Sequence, residues 1–134
     1  MSFDPYLMFK GDCREALSFY KDVFGGDLYL MTYAEAPESP GMPKVDSDLV
    51  MHGCLTVAGR MLMASDFPPG MEGESQQAVS VSHGCPTREE AQAIFEKLAG
   101  EVIMPFGDVF WCDGFGMTRD RFGTHWLIGG PSKM

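Results

Sequence analysis

The stretch that decides the fold is GDCREALSFYKDVFGG, which runs from Gly11 to Gly26. Asp12, followed three residues later by Glu15, has the pattern of a helix capping box. Gly25 suits the left-handed position that ends a helix. Between these ends the apolar residues recur at helical spacing and fall on one face, which predicts an amphipathic helix. These residues are Ala16, Leu17, Tyr20, Val23 and Phe24.

A second stretch, PTREEAQAIFEKLAGE, repeats this pattern from Pro86 to Glu101. Thr87 and Glu90 form another capping-box pattern, and Gly100 takes the place of the terminating glycine. The matched pairs are about 75 positions apart throughout, a constant offset that indicates an internal duplication. These pairs are Glu15 and Glu90, Ala16 and Ala91, Tyr20 and Phe95, Val23 and Leu98, and Gly25 and Gly100.

Strand-like segments surround both helices in the same order. One strand-like segment precedes each helix, PYLMF in the first half and QAVSVS in the second. Three segments follow the first helix: DLYLMTYA, LVMHGCLTVAG and RMLMASD. Three more follow the second helix: EVIMPFG, GFGMTRD and THWLIGG. Ala58-Gly59-Arg60 fits a hairpin turn. We therefore predict an α+β fold of two βαβββ modules, about residues 1–66 and 76–134, joined by a linker at 67–75.

Composition sets broad limits. The chain has 134 residues, of which 45% are hydrophobic, so it is expected to form one domain with a real core. The net charge of −9 argues against nucleic acid and anionic membranes as partners. No apolar run is long enough to span a bilayer, and no signal peptide is recognised, so we expect a cytoplasmic protein. The four cysteines lack a C-x-x-C pair and are expected to be reduced and mostly buried.

Several common chemistries are not indicated. The sequence contains no G-x-S-x-G elbow, P-loop or dinucleotide fingerprint. An S-adenosylmethionine-dependent methyltransferase would need a glycine-rich loop in a doubly wound sheet, which the short repeated modules argue against. The segment Ala36–Asp48, rich in proline and acids, predicts a long loop that could serve as a lid or be merely mobile.

Three segments carry a family resemblance: PYLMFKGDCREALSFYKDVFGG, MHGCLTVAGRMLMASD and FWCDGFGMTRDRFGTHWLI. The chain resembles the vicinal oxygen chelate superfamily, also called the glyoxalase/bleomycin-resistance superfamily. Within it, the chain is similar to the PhnB-like group, which carries a 3-demethylubiquinone methyltransferase-like label. The resemblance implies a curved, barrel-like mixed sheet around a cavity, and a homodimer.

Metal enzymes of this superfamily bind a divalent ion through four His or Glu side chains. The resemblance assigns these four ligand positions to Pro5, Met63, Ser80 (or Gln77) and Leu127 in this chain. None of these side chains is a good ligand for a divalent metal, so we predict neither a metal nor another cofactor. A displaced set could be drawn from His52, Asp66, His83 and His125, but none of these residues has a tight metal-binding spacing.

We therefore expect a protein that binds a small organic molecule in an apolar cavity rich in methionine and aromatic side chains. The alternative is a metal-dependent lyase, isomerase or dioxygenase of the superfamily with a displaced site. A module whose only role is its dimer interface is a third possibility. The predicted ligand-binding residues are His52, Met63, Trp111, Met117 and Arg119, where Arg119 could hold an anionic group.

Overall fold

A computed structural model describes residues 2–41 and 44–134. The chain divides into two compact units, Met1–Gln76 and Gln77–Met134. Unit 1 contains β1 (Tyr6–Phe9), α1 (Cys13–Phe24), β2 (Asp27–Thr32), β3 (Val50–Val57) and β4 (Arg60–Asp66). Unit 2 contains β5 (Ser80–Gly84), α2 (Arg88–Leu98), β6 (Glu101–Gly107), β7 (Phe115–Arg119) and β8 (His125–Gly129).

Each unit forms one four-stranded mixed sheet with the same topology. The strand order is β1-β4-β3-β2 in sheet 1 and β5-β8-β7-β6 in sheet 2. The outer pairs β1–β4 and β5–β8 are parallel, and the remaining neighbours are antiparallel. The predicted α+β class and the duplicated βαβββ order are confirmed. The enclosure of a cavity depends on how the units are arranged and stays a prediction.

The helix of each unit packs closely on its own sheet because a glycine lies beneath it. A Cβ atom added to Gly53 in β3 would press on Leu17 of α1 and lie 2.9 Å from a methyl carbon of Leu30. A Cβ atom added to Gly116 in β7 would lie 2.7 Å from the ring of Phe95 in α2. These contacts identify the helix-facing side of each sheet. We call the opposite side of each sheet its distal face.

The N-terminus of α1 differs from the prediction. The Asp12 side chain makes no capping hydrogen bond. Its role is taken by Asp66 at the end of β4, whose Oδ1 accepts hydrogen bonds from Gly11 N at 2.9 Å and Cys13 N at 3.0 Å. The second oxygen, Oδ2, accepts from Val50 N at 2.9 Å. The predicted Asp12 capping box is therefore wrong, since a carboxylate from a distant strand satisfies the first N–H groups of the helix.

At α2 the N-terminal cap agrees with the prediction, whereas the residue that ends the helix differs from it. Thr87 Oγ1 accepts from Glu90 N at 3.1 Å, which confirms the threonine cap. The helix ends at Ala99, which has the left-handed φ of 47° that we assigned to Gly100. Gly100 is required for a different reason: a Cβ there would meet the Arg119 carbonyl and lie 2.7 Å from Thr118 Oγ1.

The remaining predictions about structure concern turns, strand ends and loops. The β3–β4 hairpin turns at Ala58 and Gly59, with φ angles of 49° and 77°, as a two-residue turn with positive φ requires. His83, which follows the predicted strand QAVSVS, lies within β5 because that strand begins and ends later than predicted. In the predicted loop Ala36–Asp48, Met42 and Pro43 lie outside the described residues. Within the described ranges, no helix is both long and apolar enough to cross a membrane.

Candidate functional site

The distal face of sheet 1 is built from alternate residues of all four strands. Since Gly53 faces α1, the neighbouring positions on β3, and the residues paired with them, point the other way. One row across the sheet is formed by Tyr29, Cys54, Met63 and Tyr6, and the next row by Met31, His52, Ser65 and Met8. Except for buried Ser65, these side chains are partly or largely exposed. The face thus combines thioethers and phenol rings with one imidazole.

A chain of hydrogen bonds crosses this face. Tyr6 Oη lies 3.1 Å from His52 Nδ1 and is also hydrogen-bonded to Ser65 Oγ. Ser65 Oγ donates in turn to the Met51 carbonyl at 2.8 Å. The Tyr6 and His52 rings are stacked, with centroids 5.8 Å apart and an interplanar angle of 29°. His52 is therefore held in place by contacts to other strands.

The distal face of sheet 2 has a comparable apolar centre. Phe115, Met117 and Arg119 alternate along β7, with His125 and Leu127 beside them on β8. Met117 pairs with Leu127, and Arg119 pairs with His125. The Nδ1 atom of His125 is buried and has no hydrogen-bond partner within the part of the chain that the structure describes. Along β7 this face therefore changes from apolar to charged, since Glu101 of β6 pairs with Arg119.

An aromatic cluster lies at the apolar end of this face. The Trp111 ring makes edge-on contacts with Phe110 and Phe115, at centroid distances of 5.0 and 5.1 Å. Trp111 belongs to the loop between β6 and β7. Phe110 is 78% exposed, so the cluster presents a large aromatic surface. Such rings offer flat apolar surface to a ligand.

Arg119 lies at the other end, where β7 ends. It borders a surface depression of about 300 Å³ that is formed by the end of α2, the start of β6 and the β7–β8 turn. The adjacent Asp120 is 4% exposed, and its oxygens accept from Thr124 N at 3.1 Å and Trp126 Nε1 at 2.8 Å. Asp120 therefore points into the core, while its neighbour Arg119 is exposed.

The five predicted ligand-binding residues are divided between the units. His52 and Met63 lie on the distal face of sheet 1, while Met117 and Arg119 lie on that of sheet 2, with Trp111 packed against its Phe115. Tyr6 and Ser65 were not among the predicted residues, although alternation along β1 and β4 would have placed both on the face of Met63. Trp126 is 2% exposed and belongs to the core.

The four superfamily metal places can be judged by the donors they offer. Pro5 precedes β1, and its carbonyl already accepts from Met63 N at 3.1 Å. Met63 offers a thioether and Leu127 offers no donor. Ser80 begins β5, opposite His125, and the alternative Gln77 lies before the strand. A hard or borderline divalent ion needs several nitrogen or oxygen donors, so this set does not fit one.

The displaced candidates do not form a set either. Asp66 is 1% exposed, and both of its oxygens are already engaged at the start of α1 and in β3. His52 lies on the distal face of sheet 1, and His83 and Ile128 pair on the helix-facing side of sheet 2. Burial lowers the pKa of His83. Across residues 2–41 and 44–134, no three His, Cys, Asp or Glu side chains are placed to share a metal ion.

The duplicated unit with a parallel outer pair defines a glyoxalase-like fold, that of the vicinal oxygen chelate superfamily. Residues 1–129 match the model of the family described as 3-demethylubiquinone-9 3-methyltransferase. The chain therefore belongs to this family, the PhnB-like group predicted from the sequence.

Relatives agree along nearly the whole chain. It is 30% identical to protein YjdN of Escherichia coli K12, over 96% of this chain and 94% of the relative. The crystal structure of PA1353 from Pseudomonas aeruginosa is 38% identical, with a TM-score of 0.87 and 98% of each chain covered. The putative methyltransferase PhnB from Bacillus cereus is 26% identical, with a TM-score of 0.73, over 97% of this chain and 99% of that one.

A more distant structure shares the fold alone. The fosfomycin resistance protein FosX of Listeria monocytogenes is 13% identical, with a TM-score of 0.65, over 99% of this chain and 92% of that chain. That protein was crystallised with Mn(II) and 1S,2S-dihydroxypropylphosphonic acid. Its metal chemistry cannot be transferred to this chain by fold, because function depends on the residues at the site.

Proposed function

We propose that this protein binds a small, largely apolar organic molecule against the distal faces of its sheets, without the divalent metal usual in the superfamily. The proposal is carried by the side-chain chemistry at the four places that the family resemblance assigns to metal ligands. Pro5, Met63 and Leu127 provide no nitrogen or oxygen side-chain donor, and Ser80 provides only a hydroxyl. The chemistry that remains is contact with apolar and aromatic surface.

The composition of the distal faces supports this proposal. Methionine thioethers adapt to ligands of different shape because they are flexible and polarisable. Met8, Met31 and Met63 share the distal face of sheet 1 with His52, and Met117 lies between Phe115 and Arg119 along β7 of sheet 2. A few polar groups within an apolar lining are typical of small-molecule sites. Arg119 would orient a ligand that carries an anionic group.

The alternative functions have less support. The family description names a methyltransferase, but each sheet here is a four-stranded mixed sheet, not the doubly wound parallel sheet that binds S-adenosylmethionine. A displaced metal site would need His52 to act with Asp66, whose two oxygens are already engaged beneath the helix. Metal analysis of untagged protein tests this: near-stoichiometric metal that is lost on His52→Ala would favour an enzyme.

Thermal unfolding of metal-stripped protein with a library of aromatic and apolar compounds tests the proposal itself. A ligand that binds only the native state must raise the midpoint. Hits should lose their effect in Met63→Asp or Met117→Asp, but keep it in Met71→Asp, since Met71 lies outside both sheets and is 58% exposed. A library that produces no shift, or shifts that need added metal, would contradict the proposal.

Assembly and location belong to the same proposal. The family resemblance implies a homodimer, and symmetric dimers are the most common oligomers. Light scattering over a range of concentrations would report a mass of twice 14.8 kDa. A reducing, cytoplasmic compartment suits four cysteines that are unpaired in the structure.

A further inference from the structure

We infer that the distal face of sheet 1 recognises a hydroxyl donor on a flat apolar body, that is, a phenol, and that His52 Nε2 is the acceptor. This inference rests on the proposed function and names the ligand class for one of its two faces. It is carried by the hydrogen-bond chain that joins His52, Tyr6, Ser65 and Met51.

The direction of every bond in that chain is fixed by counting protons. The Met51 carbonyl can only accept a hydrogen bond, so Ser65 must donate its single hydroxyl proton to it. Ser65 Oγ must then accept from the Tyr6 hydroxyl. Because Tyr6 already donates its only hydroxyl proton to Ser65, its oxygen must accept a hydrogen bond from His52 Nδ1. A neutral His52 therefore carries its proton on Nδ1 and an unshared electron pair on Nε2.

His52 is also held in orientation. Its ring stacks on Tyr6, and its Nδ1 is anchored through Tyr6 to a buried serine, which is 4% exposed. A histidine with one ring nitrogen anchored in this way presents the other nitrogen in a fixed direction. The described residues make no hydrogen bond to Nε2. The structure thus offers one pre-oriented nitrogen acceptor on a surface made mainly of thioethers and phenol rings.

The surroundings select the kind of donor. An anion would be repelled by the Nε2 electron pair, and a cation would lose hydration on a partly buried face with no opposing charge beside it. A phenol avoids both costs, since it is neutral and donates one proton. Its ring can lie against Met63, Met31 and the phenol ring of Tyr6, which are the neighbours of His52 on this face.

A matched pair of ligands tests the inference. Para-cresol and its methyl ether, para-methylanisole, differ only in the hydroxyl proton. NMR titration of the full chain should show para-cresol binding about three- to tenfold more tightly, the factor expected from one net hydrogen bond. His52→Phe should remove this preference and retain binding of the ether. Tyr6→Phe should weaken the preference, because it releases Nδ1, whereas Tyr29→Phe on the same face should preserve it.

Three results would overturn the inference. The first is equal affinity for the two ligands, which would leave the proposed function standing because an apolar ligand would still bind. The second is binding of neither ligand; the proposed function is then tested separately by the broader library. The third is a nitrogen NMR spectrum in which neutral His52 carries its proton on Nε2. Unchanged thermal midpoints would show that the variants are folded.

Discussion

Asp66, the last residue of β4, caps the helix that begins at Cys13: its Oδ1 accepts a hydrogen bond from Cys13 N at 3.0 Å. The carboxylate is buried and also binds Gly11 N and Val50 N. A negative charge at a helix N-terminus is favoured by the helix dipole. Burial and then the nearby charge of Asp66 raise the pKa of the Cys13 thiol to about 12, so Cys13 stays protonated at neutral pH.

Asp66→Ala should therefore destabilise the protein strongly. Three backbone N–H groups would lose a charged acceptor, and we expect a loss of about 3 kcal/mol or more in the free energy of unfolding. Urea denaturation measures this loss. Asp12→Ala is the matched control, because the Asp12 side chain does not cap the helix. A larger loss for Asp12→Ala than for Asp66→Ala would show that the sequence-predicted cap is the real one.

The C-terminus of α2 gives an opposite pair of effects at adjacent residues. Ala99→Gly should stabilise the fold by about 1 kcal/mol, because glycine relieves the left-handed backbone strain. Gly100→Ala should destabilise it, because the added Cβ meets the Arg119 backbone, which cannot move away cheaply. Thermal unfolding of both variants compares them directly. If Gly100→Ala is neutral and Ala99→Gly is destabilising, the described helix end is wrong.

Cys54 should report ligand binding on sheet 1. Burial raises the pKa of both Cys13 and Cys85, whereas Cys54 is partly exposed on the distal face beside Met63. A thiol reagent should modify Cys54 first in the native protein, and a ligand bound to this face should slow that reaction. The fast phase should disappear in Cys54→Ala. A ligand that stabilises the protein without protecting Cys54 would be assigned to another surface.

His83 should make stability depend on pH. Because burial lowers its pKa in the folded protein, the unfolded chain binds the proton first as pH falls below about 6.5. Stability should therefore be lost progressively as the pH falls from that value through the folded-state pKa. His83→Gln should show a smaller loss over this interval in urea midpoints measured at several pH values. Equal slopes for the two proteins would refute a role for His83.

The sequence predicts the fold well because the decisive signals are local and occur twice. Helical spacing, capping residues and strand alternation place all ten elements of the two units. The misplaced features depend on long-range contacts. Asp66 reaches the start of α1 from the fourth strand, and the Arg119 backbone leaves no room for a side chain at Gly100. No local pattern contains either contact.

Part of the candidate site could not be predicted for the same reason. Of the predicted ligand-binding residues, Met63 comes from a family position, and His52, Met63, Met117 and Arg119 all lie on distal faces. The bond between Tyr6 and His52 joins residues 46 positions apart, so it appears only once the strands are aligned.

The central claim is that ligand binding on these faces needs no divalent metal. The most direct measurement is methionine-methyl NMR of metal-stripped protein, titrated with the best hit from the thermal screen. We predict shifts for distal-face methionines, Met8, Met31 and Met63 or else Met117, while exposed Met71 and Met134 stay in place. Distal-face signals that move only after a divalent metal is added, or not at all, would contradict the account.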